Sequence, residues 1–142
     1  MKRAEYEFLP HTADLRFRAY GKSLDECFQN AAKALSSSIA DPKTLAGDFN
    51  EEINLEADDL GRLLHDFLSE IIFRFETETL LIKETEVAIK DKMGYSLRAQ
   101  LSGELYNPDK HRVKAEIKAV TYHELKVAKV GDIWTAEVLC DI

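Results

Sequence analysis

Three observations predict an α+β fold. Two helical stripes sit in the first half of the chain, alternating strand-like runs fill the second half, and the turns between those runs are short. Helices and strands segregated in this way, and not alternating as βαβ units, argue for antiparallel pairing with the helices packed on the sheet and on each other. At 142 residues and 45% hydrophobic, the chain suits one ordinary domain spanning residues 1–142. No linker, internal repeat or low-complexity segment divides it.

Tyr6-Glu7-Phe8-Leu9 is the first strand, stopped by Pro10, which has no N–H for a ladder. Leu15 to Tyr20 alternates apolar and polar residues at period two, the pattern of a half-buried strand. Gly21-Lys22 turns the chain, and Ser23 with Glu26 three residues on forms a capping-box signature. Leu24, Cys27, Phe28, Ala31, Ala32, Leu35 and Ile39 then make one helical face, ended by Asp41-Pro42. A short strand, Ile53 to Glu56, follows.

Asp58 or Asp59 is placed to cap a second helix. Leu60, Leu63, Leu64, Phe67, Leu68, Ile71, Ile72 and Phe75 form its apolar stripe, while Arg62, Asp66, Glu70 and Arg74 alternate in sign on what reads as a solvated face. Leu80 to Ile82 and Val87 to Ile89 are short strand runs, Met93-Gly94 is a turn, and Tyr95 to Leu101 alternates. Tyr106 to Asp109 is a loop. Ala115, Ile117 and Ala119 line a strand face, and Leu125 to Val130 with Ile133 to Cys140 form a hairpin about Gly131-Asp132.

The net charge of −7 is uneven. Residues 41–86 hold thirteen Asp and Glu against four Lys and Arg, a balance of −9, which leaves +2 elsewhere. Such a surface repels a phosphate backbone, so direct nucleic-acid binding is not expected; it suits a basic protein surface or cations, and it also serves solubility alone. The first residues lack the apolar core of a signal peptide and no run is long enough to span a bilayer, so a soluble, cytoplasmic protein without membrane contact is expected. Cys27 and Cys140 sit in apolar patterns and read as buried thiols.

Chemistry concentrates at the ends. His11-Thr12-Ala13-Asp14 precedes the second strand, and Asp141-Ile142 follows the last. If the first and last strands are neighbours in the sheet and bring the two motif ends together, Asp14, Asp141 and the terminal carboxylate of Ile142 converge, and oxygen-only clusters of that kind suit Ca²⁺ or Mg²⁺. Taken singly, Asp14 reads equally as a turn carboxylate bonding nearby N–H groups, and Asp141 as a solvated chain end. His11 and His123 could act as bases or ligands or could simply orient loops; Thr121-Tyr122-His123 lies between strands, where it can anchor a corner. The sequence assembles no nucleophile with its base, phosphate-cradling loop or zinc site, and hence no catalytic centre.

Phe8 to Leu15, Tyr20 to Phe28, Asp59 to Leu68, Ile117 to His123, Trp134 to Val138 and the closing Asp141-Ile142, in this order and across nearly the whole chain, resemble the archease family. The resemblance implies a non-catalytic activator of the GTP-dependent, RtcB-type tRNA-splicing ligase, which promotes guanylylation of the ligase and its multiple turnover. It also implies a bound divalent ion, usually Ca²⁺ with Mg²⁺ or Mn²⁺ as alternatives, on Asp14, Asp141 and Ile142. His11, Thr12, Thr121, Tyr122 and His123 would then be supporting or partner-contact residues. Two other classes compete: a chaperone-like binding module, and a metal-dependent hydrolase with His11 as base.

Overall fold

The computed structural model describes residues 4–10 and 13–142; His11 and Thr12 lie outside the described residues. The strands are β1 (Tyr6–Leu9), β2 (Asp14–Gly21), β3 (Phe49–Ala57), β4 (Leu80–Asp91), β5 (Tyr95–Leu105), β6 (Ala119–Val120), β7 (Lys126–Val130) and β8 (Ile133–Asp141). The helices are α1 (Leu24–Ile39) and α2 (Leu60–Glu78), with a 3-10 turn at Pro42–Thr44. All pairing is antiparallel, in an α+β arrangement, but the strands form two sheets in place of one. The larger runs β1-β2-β8, with β6 and then β7 along the far edge of β8; the smaller runs β3-β5-β4.

Helix α1 begins where the capping box places it. Ser23 Oγ accepts the Glu26 N–H at 3.1 Å, and Glu26 returns a carboxylate oxygen to the Lys22 N–H at 3.1 Å. The turn from β2 into α1 is so tight that a Cβ on Gly21 would lie 2.3 Å from the Cys27 backbone nitrogen, so only glycine fits. Helix α1 then joins the two sheets. Its Cys27, Phe28, Ala31 and Leu35 are fully buried, and from its flank Gln29 Oε1 and Asp25 Oδ1 accept the N–H groups of Val87 and Ile89 at 2.9 Å each. Those amides lie on the outer edge of β4, an edge otherwise open to foreign strands.

Asp59, not Asp58, caps α2 by accepting the Arg62 N–H at 2.8 Å. Leu63, Leu64, Phe67, Leu68, Ile71 and Ile72 are buried, and Phe67 stacks on Phe28 with ring centroids 6.1 Å apart. The polar face of α2 is only partly solvated. Arg74 is half-buried and clamps the helix to β3, its Nε donating to Glu51 at 2.6 Å while its Nη1 reaches Glu70.

Two expected elements differ. The runs at Leu80 and Val87 belong to a single twelve-residue strand, because β5 pairs along its whole length and a bulge between Ile82 and Glu84 absorbs the break in pattern. Conversely, Ala115 to Lys118 form no strand: the segment is extended but is held at isolated points, with Lys114 N donating to Ile39 O at 2.7 Å and Lys118 N to Asp141 O at 2.8 Å. Ile117 and Val120 are buried while Ala119 is exposed, so the face inferred from Ala115, Ile117 and Ala119 breaks where β6 begins.

A polar clamp closes the far end of β5. The Glu104 carboxylate accepts from Ala46 N at 3.0 Å, from Lys110 Nζ at 2.9 Å and from buried His111 Nε2 at 2.7 Å, and His111 Nδ1 accepts the Asn107 N–H at 2.9 Å. These donors, the Ala46 amide foremost, hold the Glu104 carboxyl down at about 2. An acid whose folded value lies below its unfolded one adds stability above the ordinary carboxylate range, and that stability is lost as pH falls toward 2. Glu104→Gln should therefore lower Tm near neutrality and flatten the decline of Tm between about pH 4.5 and pH 2, measured by thermal melts across that range. Phe67→Ala, by contrast, should cost about 3–5 kcal/mol at every pH through the cavity it leaves.

Candidate functional site

The register of β2 on β8 builds the site. Phe17 lies opposite Val138 and Ala19 opposite Ala136, and all four are buried beneath α1. Period two then sends Asp14, Arg16, Arg18 and Tyr20 to the other face, opposite Asp141, Leu139, Glu137 and Thr135. Asp14 and Asp141 are thus direct cross-strand partners on one face, with Cβ atoms about 4.5–5.5 Å apart for such a pair. Asp14 is half-buried and Asp141 exposed; Ile142, just beyond, is 46% exposed. The strand adjoining β8 is β2, and the first strand, β1, is the sheet edge beyond it.

On the other side of β8, Ala119 pairs with Asp141 and Val120 with Cys140. The corner that follows is anchored by Thr121, whose N–H and hydroxyl both donate to Leu139 O, at 3.0 and 3.1 Å. Tyr122 contributes by stacking: its ring lies 4.1 Å from that of His65 on α2, nearly parallel, with His65 Nδ1 3.0 Å from Asp66. His123 is exposed, and Glu124 takes a left-handed φ of 59° that turns the chain into β7.

Arg16 was not singled out by the sequence, although the alternation that reveals β2 also puts it on the face of Asp14. Its Nε lies 3.4 Å from Glu124 Oε2, and its Nη2 lies 3.8 Å from Glu137 Oε2. Neither contact is a hydrogen bond, and the buried Nε has no hydrogen-bond partner. Arg18, one row further, binds Glu137 properly through Nε at 2.8 Å.

The donors near the pair are carboxylate oxygens, which fit a hard divalent cation and not a soft metal. Among the described residues, no three His, Cys, Asp or Glu side chains are grouped closely enough to hold a metal. Any third ligand at the Asp14–Asp141 row would therefore come from a terminal carboxylate, the backbone, water or a residue outside the described set. Both thiols are buried, and burial raises each to about 12, which leaves them inert as nucleophiles and ligands. Among the described residues, no helix is long and apolar enough to cross a membrane.

Two antiparallel sheets bridged by two helices, with an acidic pair where the second and last strands meet, define an α+β protein whose notable surface feature is a carboxylate pair. A model of the Archease protein family (MTH1598/TM1083) matches residues 6–142, and the chain belongs to that family. Protein archease of Methanosarcina barkeri is 44% identical over 97% of this chain and 96% of its own, and that of Pyrococcus abyssi is 40% identical with both chains fully covered. The solution structure of Methanobacterium thermoautotrophicum protein 1598 superposes with a TM-score of 0.82 at 29% identity, covering 97% of this chain and 99% of that one. The crystal structure of an archease, possible chaperone, from Thermotoga maritima has a TM-score of 0.62 at 21% identity, covers 100% and 98%, and shares the fold.

Beside the acidic pair, Ala13 holds a left-handed φ of 64°. An L-residue there is strained by roughly 1–2 kcal/mol relative to glycine. Ala13→Gly should thus be neutral or slightly stabilising in a denaturant melt, whereas Ala13→Val should destabilise.

Proposed function

We propose that the protein is a non-catalytic activator of an RtcB-type, GTP-dependent tRNA-splicing ligase, promoting guanylylation of that ligase and its repeated turnover. The observation that carries the proposal is the register pairing of Asp14 with Asp141. It supports a site that holds a divalent ion on Asp14, Asp141 and the carboxylate at Ile142, with Ca²⁺ the best match and Mg²⁺ or Mn²⁺ alternatives. An ion held there would add positive charge beside a triphosphate as charge develops in nucleotidyl transfer. The protein's own part is to present the carboxylates on an exposed sheet end and to dock.

Charge supports docking on a basic protein surface. The exposed face of the smaller sheet carries Glu52, Glu56, Glu84 and Glu86, with Arg98 and Lys90 among them. That face disfavours RNA and favours a cationic partner. His11, Thr12, Thr121, Tyr122 and His123 are the further residues proposed to support the acidic pair or to contact the partner. A chaperone-like module is the second reading, and the large apolar side chains exposed at Phe8, Phe73, Met93 and Val130 are what favours it. They lie on separate elements, which suits scattered surface residues better than one holdase patch.

The test is ligase turnover with GTP and metal, with and without this protein. Multiple turnover should require it, and the protein alone should neither hydrolyse GTP nor join RNA. Asp141→Asn, and separately an extension past Ile142, should impair activation far more than they lower Tm, while an N-terminal extension of equal length should do much less. Full activation by both altered proteins would remove the chain end from the mechanism. General protection of unrelated proteins from aggregation, without ligase stimulation, would favour the chaperone.

A further inference from the structure

We infer that the outer edge of β4 at Thr85 docks an extended, basic segment of a partner protein, which joins β3-β5-β4 as a further strand of the smaller sheet; the inference stands apart from the acidic pair. Helix α1 runs antiparallel to this edge and closes it place by place. Asp25 takes the Ile89 N–H, and Gln29, one turn on, takes the Val87 N–H. The spacings match, since four helical residues rise about 6 Å and two strand residues about 6.6 Å. The next places in the two rows are Lys33 and Thr85. A lysine ammonium only donates, so it cannot accept an amide N–H, and Lys33 Nζ is bound to Glu5 Oε2 at 2.5 Å. The row of acceptors ends one place early.

An open cleft of about 820 Å³ separates helix and strand there, with Asn30, Ser36 and Ser37 of α1 on one wall and Lys83 to Glu86 of β4 on the other. Thr85 has the parity of Val87 and Ile89, so its N–H and C=O both point outward, and a strand laid in the cleft exchanges both bonds with it. From Asn30 to Ser37 the helix rises about 10 Å, which accommodates about three extended residues. The side chains say which residues suit. Glu84 and Glu86 are exposed on the outer face, and on β5 they face uncharged Ser102 and Gln100. Their charge is thus unopposed across the ladder and favours Lys or Arg on the incoming strand. The residue between those two, opposite Thr85, turns into the cleft, where the Ser36 hydroxyl is buried without a hydrogen-bond partner among the described residues. A small side chain with a hydroxyl or amide fits that place. Lys83 is drawn aside, its Nζ donating to Leu45 O at 2.8 Å. A second copy of the chain suits the edge poorly, because two β4 edges paired about Thr85 would set Glu84 of each against Glu86 of the other.

The test is an NMR titration of the full, isotope-labelled chain with the peptide Gly-Ser-Lys-Thr-Lys-Ser-Gly, blocked at both ends, following the Thr85 amide. Saturable shifts should centre on Lys83 to Val87 and on the facing turns of α1. Methylating the backbone nitrogen of the peptide's threonine removes its N–H to Thr85 O and should weaken binding about tenfold. Lys33→Gln should weaken it by a similar factor with Tm little altered, because a glutamine there closes the edge as Gln29 does at Val87. Exchanging both peptide lysines for glutamate should abolish binding, and Glu84→Lys with Glu86→Lys should restore it for the acidic peptide. Asp141→Asn should leave every one of these results unchanged, so failure of the acidic pair reads differently. No saturable shift at Thr85, equal binding of the methylated peptide, or equal binding by wild type and Lys33→Gln overturns the inference. Peptide binding lost in Asp141→Asn would place the peptide on the larger sheet and overturn it too. A dimer seen by sedimentation and dissolved by Lys33→Gln would give the edge to a second copy, overturning the partner assignment.

Discussion

The pairing of β2 with β8 is the constraint on which the rest depends. Eight consecutive register pairs run from Asp14–Asp141 to Gly21–Trp134, through the middle of the larger sheet. On one face they bury Phe17, Ala19, Ala136 and Val138, and that burial fixes the register, because a slip of one residue would turn the buried pair of the slipping strand to the opposite face. The other face inherits its order from this choice. The two aspartates meet because the phenylalanine and valine three residues further in must meet.

Helix α1 carries that order to the second sheet. Its apolar face covers β2 and β8, and its Asp25 and Gln29 side chains close the edge of β4. Polar side chains acting as surrogate strand acceptors both satisfy the amides and block foreign strands. The helix is itself fixed at its start by Gly21, where β2 ends. One strand therefore sets the acidic pair at one end and the anchor of α1 at the other.

What the sequence makes legible follows from which signals are local. Helix periodicity and the caps at Ser23 and Asp59 are local, and α1 and α2 appear where those residues indicate. The hairpin about Gly131, whose φ is 63°, is local as well. Pairing between distant segments is not. The polar stretch Lys83 to Glu86 looks like a gap until β5 is seen to pair across it, and Ala115 to Lys118 looks like a strand until the isolated bonds around it are found to run from Lys114 to Ile39 and from Lys118 to Asp141. The candidate site was half legible. Asp14 and Asp141 stand out by residue type at strand ends, whereas Arg16 resembles any solvent-facing strand residue. Its distinction lies in its neighbours, and Glu124 and Glu137 are more than a hundred positions away in the chain.

The acidic row also violates local preference in a way that the rest of the fold does not. Aspartate is depleted from strands, and like charges directly across a ladder are destabilising. The same face shows the ordinary solution one and two rows on, where Arg16 opposes Leu139 and Arg18 opposes Glu137. Ala13, in a left-handed backbone immediately before Asp14, adds strain at the same place. A sequence selected for stability alone would replace each of these, with glycine at 13 and a β-branched or oppositely charged residue at 14 or 141. Three unfavourable local choices clustered at one sheet end, in a fold otherwise consistent from caps to core, set that end apart from the rest of the structure. A divalent cation of the kind proposed above would be shared by both carboxylates across the ladder.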